Sequence, residues 1–247
     1  MKIAEGLEIL KLEMGSGEQK MIVYPTVIYD KESCVLVDTG MPGYAKELYN
    51  LMSEENLNPE RLTGVLLTHQ DIDHIGSLPQ LIEENENLHI YAHEEDRPYI
   101  DGEKPFIKLD EEKKKHMTSS LNEHERLLFD ETFYNPENKN VTHVLKDGET
   151  LPIADGIKVI HTPGHTPGHI SLYHEQSKTL IAGDAMIVEN GELLGPNPPF
   201  TPNMEQALES LNKFKHLEIE TLIGYHGGIF KGDIEKRLQE LTSHSKS

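Results

Sequence analysis

The stretch Val65-Leu66-Leu67-Thr68-His69-Gln70-Asp71-Ile72-Asp73-His74 decides how this chain is read. Its first three residues are a short apolar run suited to a buried strand, and the polar residues begin where that strand should end. Four side chains able to bind a divalent ion, His69, Asp71, Asp73 and His74, fall within it. Imidazole nitrogen and carboxylate oxygen are donors for zinc, iron or manganese, and a strand end is a rigid base from which to aim them. Taken alone, the carboxylates have a simpler role, N-capping of the helix that follows.

Upstream of this stretch, residues 6–12, 21–24, 27–29 and 34–38 read as strands, the first two separated by the turn-prone Gly15-Ser16-Gly17. Residues 45–52 place Leu48, Leu51 and Met52 on one helical face. Downstream, Leu78, Leu81 and Ile82 repeat at helical spacing, and 88–91 returns as strand. From 94 to 140 the rhythm breaks into a charged, aromatic segment with one helical stripe, Met117, Leu121, His124 and Leu128. A segment of this length with its own apolar stripe predicts a partly helical cap inserted into a single domain spanning 1–247. Lys113, Lys114 and Lys115 within it read as a solvated helix face, and Phe106, Phe129, Phe133, Tyr134 and Phe200 as core or cap packing, with the lining of a substrate pocket as the alternative. Strands resume at 141–145, 157–160, 170–173, 179–182 and 222–223. Thr201-Pro202 predicts a helix start with Thr201 as N-cap and Met204, Leu208 and Leu211 inward, and Ile234, Leu238 and Leu241 mark a terminal helix. Two packed sheets with outer helices accommodate this order.

Three further segments carry candidate ligands. His161-Thr162-Pro163-Gly164-His165-Thr166-Pro167-Gly168-His169 is a loop fixed by Pro-Gly turns, Ala182-Gly183-Asp184 puts a carboxylate at a strand end, and Gly224-Tyr225-His226-Gly227 puts a histidine after another. With Val35-Leu36-Val37-Asp38-Thr39-Gly40, these motifs resemble those of the metallo-β-lactamase superfamily, in order and over nearly the whole chain. The resemblance implies an α/β fold, a four-layer αββα sandwich, with two divalent metal ions in a cleft at the sheet edges. It implies His69 and His165 on the first ion, Asp73, His74 and His226 on the second, Asp184 bridging, and Asp38 supporting a ligand from behind. It selects His165 within its loop and leaves His161 and His169 to hydrogen-bond inside it. His89, His93, His116, His143 and His174 belong to no motif and are read as structural or exposed, and His124 as packed or hydrogen-bonded on the cap helix.

The chain departs from the family at Asp71, where a histidine is usual. If Asp71 ligates, the site carries three carboxylates, and a less positive site favours Mn²⁺ or Fe²⁺ over Zn²⁺, the default pair of ions. The flavodiiron proteins are similar in carrying a carboxylate there, so a diiron or iron-dependent oxidoreductase is the alternative to hydrolysis, although their flavodoxin-like domain has no counterpart here. The leading expectation is a hydrolase that cleaves an ester, thioester or lactone by a metal-bound hydroxide, with Asp73 as the catalytic carboxylate. Residues 165–169 resemble those of hydroxyacylglutathione hydrolases, whose basic C-terminal segment is missing. Asp184 is followed by Ala185-Met186-Ile187 without the tyrosine of acyl-homoserine lactonases.

Composition narrows the setting. With 23 basic and 43 acidic residues the net charge is −20, which disfavours nucleic acid and anionic membranes and leaves a small-molecule acyl substrate as the expected partner. No apolar run approaches the roughly 18 residues of a membrane span. One cysteine, Cys34, set beside Val35-Leu36-Val37, excludes an internal disulfide. Together with an N-terminus lacking a secretory layout, this predicts a cytoplasmic location. No pattern speaks to oligomeric state.

Overall fold

In the computed structural model, which describes residues 1–15, 17 and 20–243, the apolar runs become two sheets. The first has seven strands in the order Lys2–Ala4, Leu7–Ile9, Thr26–Tyr29, Cys34–Val37, Gly64–Leu66, His89–His93 and His143–Leu145. The second has six, Thr150–Leu151, Ile157–His161, Ile170–His174, Thr179–Gly183, Thr221–Gly224 and Gly228–Phe230. Parallel neighbours need crossovers. The helices Ala45–Glu54 and Leu78–Glu84 and the segment 94–140 supply them in the first sheet, and Met204–Ser210 supplies the one in the second.

Alternation along each strand divides the side chains between three cores. Val35 and Val37 join Ile181 and Ile223 between the sheets, whereas Cys34 and Leu36 join Leu48 and Met52 under the helices. Likewise Leu180 and Leu222 turn away from Ile181 and Ile223 to pack with Phe214 and Leu238. Helix, sheet, sheet, helix is the four-layer sandwich expected. Strands buried on both faces explain why their sequences read as unbroken apolar runs. No helix among the described residues is long and apolar enough to cross a membrane.

Some local expectations change. Residues 6–12 are not one strand: Leu7–Ile9 lies in the first sheet, while Leu12–Met14 pairs with Met21–Val23 in a separate ribbon. Ser16 of the intervening turn lies outside the described residues. The stripe from Met117 to Leu128 is two helices, Glu111–Met117 and Glu123–Tyr134, because Asn122 and Glu125 form a reciprocal capping box that starts a new helix. Phe129 and Phe133 then become the buried face and, with Phe106, join the first-sheet core. His124 points outward, 2.7 Å from Glu83 Oε1. Thr201 caps no α-helix: Asn203 does so by accepting the Gln206 N–H, and Ala207 and Ser210 form the buried face.

Candidate metal centre

The ligand stretch follows Gly64–Leu66 at the carboxyl end of a parallel strand and runs into the short helix Ile72–Ile75. Asp71 occupies the N-cap position, yet its side chain makes no capping hydrogen bond. The carboxylate is turned into the cleft instead, which removes the simple capping role for this residue.

Three histidines have their ring tautomers fixed from behind. Asp38 accepts hydrogen bonds from Thr68 N (2.8 Å), Thr68 Oγ1 (2.7 Å) and His74 Nδ1 (2.9 Å). Since the Thr68 hydroxyl donates to Asp38, it accepts from His69 Nδ1, 3.0 Å away. Thr201 Oγ1 donates to Asn197 O at 2.8 Å and so accepts from His165 Nδ1 at 3.2 Å. Each Nδ1 therefore keeps its proton, and each Nε2 is the ring atom turned to the cleft. Burial opposes a charge on His74, but Asp184, Asp38 and Asp73 raise it well above the usual imidazole range, so its Nε2 exchanges a proton for a metal. Among the described residues, the buried His69 Nε2, His74 Nε2 and Asp184 Oδ1 have no hydrogen-bond partner. Convergent buried lone pairs are costly unless a cation takes them, so the donor set fits a divalent ion.

Asp184 lies between two groups of donors. Its Oδ1 is 3.3 Å from His74 Nε2, and its Oδ2 is 3.4 Å from His165 Nε2 and 3.5 Å from His226 Nε2. His69, Asp71 and His165 form one potential ligand group; Asp73, His74 and His226 form another; and His69, His74 and Asp184 span the middle. The structure thus gathers all seven candidate ligands, with Asp38 directly behind them. His226 is delivered by a tight turn in which Gly227 has φ +94° and a Cβ would stand 1.6 Å from Val188 O, so only glycine fits. Tyr225 completes the turn, donating to Asp73 O at 2.5 Å and laying its ring 3.9 Å from that of His74.

Electrostatics follows the geometry. Burial opposes a charge on Asp71 and Asp184, yet the surrounding imidazoles, and Lys108 at Asp71, hold both carboxyls well below the usual range. Burial likewise opposes protonation of His226, but Asp184 and Asp73 outweigh it and push the ring up to about 10. Burial and neighbouring imidazoles depress His69 and His169.

The other two loop histidines position the site. His169 binds Thr162 Oγ1 through Nδ1 and accepts the Asp184 N–H through Nε2 at 2.9 Å, so both its nitrogens are engaged. His161 reaches Pro167 O at 2.8 Å. His161 and His169 Nδ1 stay within the loop as expected, whereas His169 Nε2 reaches outside it to the backbone of Asp184. The sequence reading gave three further residues no place at the site. Thr201 orients His165. Asp96, fully buried, accepts from Gln70 N, Gln70 Nε2, Thr166 Oγ1 and Gly168 N at 2.7–3.1 Å, tying the two ligand loops together. Lys108 reaches in from the segment 94–140, with Nζ 2.6 Å from Asp71 Oδ2 and 2.8 Å from His165 Nε2. None of these carries a local motif.

A cleft of about 450 Å³ opens over Asp71 and Asp73, walled by Phe106 and Met117 on one side and by the proline-rich residues 198–202 on the other. Lys108 and Lys113 are its cationic lining.

Comparison with known proteins agrees with this geometry. The profile of the metallo-beta-lactamase superfamily matches residues 20–226. The probable metallo-hydrolase YflN of Bacillus subtilis (strain 168) is 30% identical over 230 residues, covering 87% of this chain and 84% of the relative. A hydroxyacylglutathione hydrolase of Enterobacter sp. (strain 638) is 29% identical over 196 residues, 78% of this chain and 57% of that one. Among solved structures, a metallo-beta-lactamase family protein from Thermus thermophilus superposes with a TM-score of 0.70 at 26% identity, covering 98% of this chain and 80% of that chain. The chain belongs to the metallo-beta-lactamase superfamily.

Proposed function

We propose that this metallohydrolase cleaves an ester, thioester or lactone bond of a small acyl substrate. The observation that carries the reading is the set of histidine Nε2 atoms fixed from behind and converging with Asp73 and Asp184 at the floor of the cleft. His69, Asp71 and His165 are the proposed ligands of one divalent ion, and Asp73, His74 and His226 those of a second, with Asp184 between them. Zinc is the default occupant, and the third carboxylate at Asp71 biases the site toward manganese or iron. When bound, such ions lower the pKa of water toward about 7 and polarise a carbonyl oxygen. Asp73, partly exposed at the cleft floor, orients the attacking water, takes its proton as the acyl carbon–oxygen bond forms, and passes it to the leaving oxygen or sulfur as the acyl carbon–heteroatom bond breaks, which releases the alcohol or thiol. The apolar walls Phe106, Met117 and Phe200 suit a hydrocarbon portion of the substrate. Segment 94–140 supplies half of that wall, which makes it the proposed specificity cap of a single domain.

A net charge of −20 favours a small-molecule partner over nucleic acid or an anionic membrane, and the lone buried Cys34 is compatible with a cytoplasmic setting. Metal analysis of protein purified without added metal, paired with ester, thioester and lactone substrates, tests the reading. Hydrolysis of at least one class, abolished by chelator and restored by metal, is expected. Metal-loaded protein that hydrolyses none of them would overturn it, and oxygen consumption by the iron form would replace it with the oxidoreductase reading.

A further inference from the structure

Lys108 stands where the first ligand group points. Its ammonium is 2.6 Å from Asp71 Oδ2 and 2.8 Å from His165 Nε2, and it is largely buried, with 18% of the side chain exposed. His165 Nε2 also lies 2.9 Å from Asp71 Oδ2, so the ammonium, the ring nitrogen and the carboxylate oxygen crowd the point that a metal on this group would need. The ammonium thus engages two of the three donors of the first ligand group; among the described residues the third, His69 Nε2, has no hydrogen-bond partner, like His74 Nε2 and Asp184 Oδ1 on the other side, which Lys108 does not reach.

The placement of Lys108 is built into the backbone on both flanks. Ile107 donates its N–H to Gln70 Oε1 at 3.1 Å, and Gln70 Nε2 is held by Asp96. On the other flank, Lys113 Nζ donates to the Lys108 carbonyl at 3.1 Å. A carboxylate accepts a charge-assisted hydrogen bond from an ammonium far better than a neutral imidazole does, so Asp71 and Lys108 are complementary.

We propose that Lys108 is a built-in cation of the first ligand group: the chain binds one divalent ion tightly between Asp73, His74, His226 and Asp184, and takes a second only by expelling the Lys108 ammonium into the cleft. The inference rests on the same ligand assignment as the hydrolase reading, but concerns occupancy rather than reaction. A second ion must compete for two acceptors already engaged and must move a positive charge away from itself, so its affinity is lowered. Metal content then becomes adjustable through the cap: anything that draws Lys108 outward, such as an anionic group in the cleft, eases entry of the second ion.

The test is a Zn²⁺ titration of the full chain against a chromophoric chelator, with Co²⁺ absorption as a second readout, for the wild type, K108M and K108R. The wild type should bind one equivalent tightly and a second more weakly by about tenfold or more, a free-energy gap of roughly 1.4 kcal/mol. K108M should close that gap and K108R should keep it. On the wild type alone, reductive methylation followed by peptide mapping should show Lys108 shielded through the first equivalent of Zn²⁺ and reactive after the second, so the inference stays testable even if K108M fails to fold. Two ions of equal affinity, or a Lys108 whose reactivity ignores the second equivalent, would overturn the inference and leave the hydrolase reading standing. A chain that retains no ion under any condition would overturn both.

Discussion

Asp38 adopts φ +62°, a left-handed conformation that aspartate tolerates better than most residues. From there its carboxylate serves Thr68 N, Thr68 Oγ1 and His74 Nδ1 together, and through Thr68 it fixes His69 as well. One buried anion thus sets the tautomers of two proposed ligands from outside the candidate ligand groups. An asparagine has the same outline but only one acceptor oxygen, and its amide would confront either the Thr68 backbone N–H or both the Thr68 hydroxyl and the His74 N–H. D38N should therefore weaken metal binding by about 10- to 100-fold, the usual effect of losing a carboxylate behind a ligating histidine. Chelator competition measures this, and an unchanged affinity would remove Asp38 from the role. At this scale the sequence was legible wherever chemistry is local. His69, Asp71, Asp73 and His74 sit side by side, and His165, Asp184 and His226 each stand in a distinctive loop or at a strand end. Lys108 and Thr201 were not legible, because they act on residues far away in the chain and each looks ordinary among its neighbours.

Between elements, the decisive contact is Asp96. It follows the strand His89–His93 and touches both the loop carrying His69 and Asp71 and the loop carrying His165. The fit is close: a Cβ on Gly168 would stand 2.4 Å from Asp96 N. Replacing the carboxylate by an amide would turn one end of a pure acceptor into a donor facing donors. D96N is expected to destabilise the metal-free protein by about 2–3 kcal/mol, the cost of buried polar groups left without partners. Urea unfolding in chelator reads this directly, and a change within about 0.5 kcal/mol, the range of an ordinary surface substitution, would show that the loops hold without it. The same reasoning explains why the elements around the cap were misread. An apolar stripe from Met117 to Leu128 predicts one helix, but the Asn122–Glu125 capping box stops and restarts the chain. A cap acts through a few atoms, and periodicity averages over many residues. The fully buried strands such as Ile170–His174 and Thr179–Gly183 and the Ala45–Glu54 and Ile234–Ser243 helices were legible because burial repeats along their length.

Across the whole molecule, the two sheets meet through apolar side chains along most of their area and through a pair of histidines at one end. His93, closing His89–His93 of the first sheet, stacks on His161, closing Ile157–His161 of the second, with ring centroids 3.9 Å apart and planes 15° from parallel. Neither belongs to the ligand set, and the sequence offered no sign of the pair, since stacking joins residues that only the finished sandwich brings together. Burial, with the neighbouring His161 adding to it, depresses His93 to about 4. An unfolded histidine takes its proton near pH 6.5, so between about 6.5 and about 4 the unfolded chain binds more protons than the folded one. Neutral His93 therefore contributes its full stability above pH 6.5. That contribution declines as pH falls through this window and reaches its floor near pH 4. Phenylalanine at position 93 keeps an aromatic face without a titrating nitrogen. Relative to H93F, the wild type should lose unfolding free energy between about pH 7 and about pH 4.5, because only it carries this proton linkage. Urea unfolding in chelator across that range checks the point while avoiding metal release, and carboxylate titrations common to both proteins cancel in the difference. A difference that stays constant with pH would mean that His93 does not titrate with the depressed value, and that the two sheets are held at this end by packing alone.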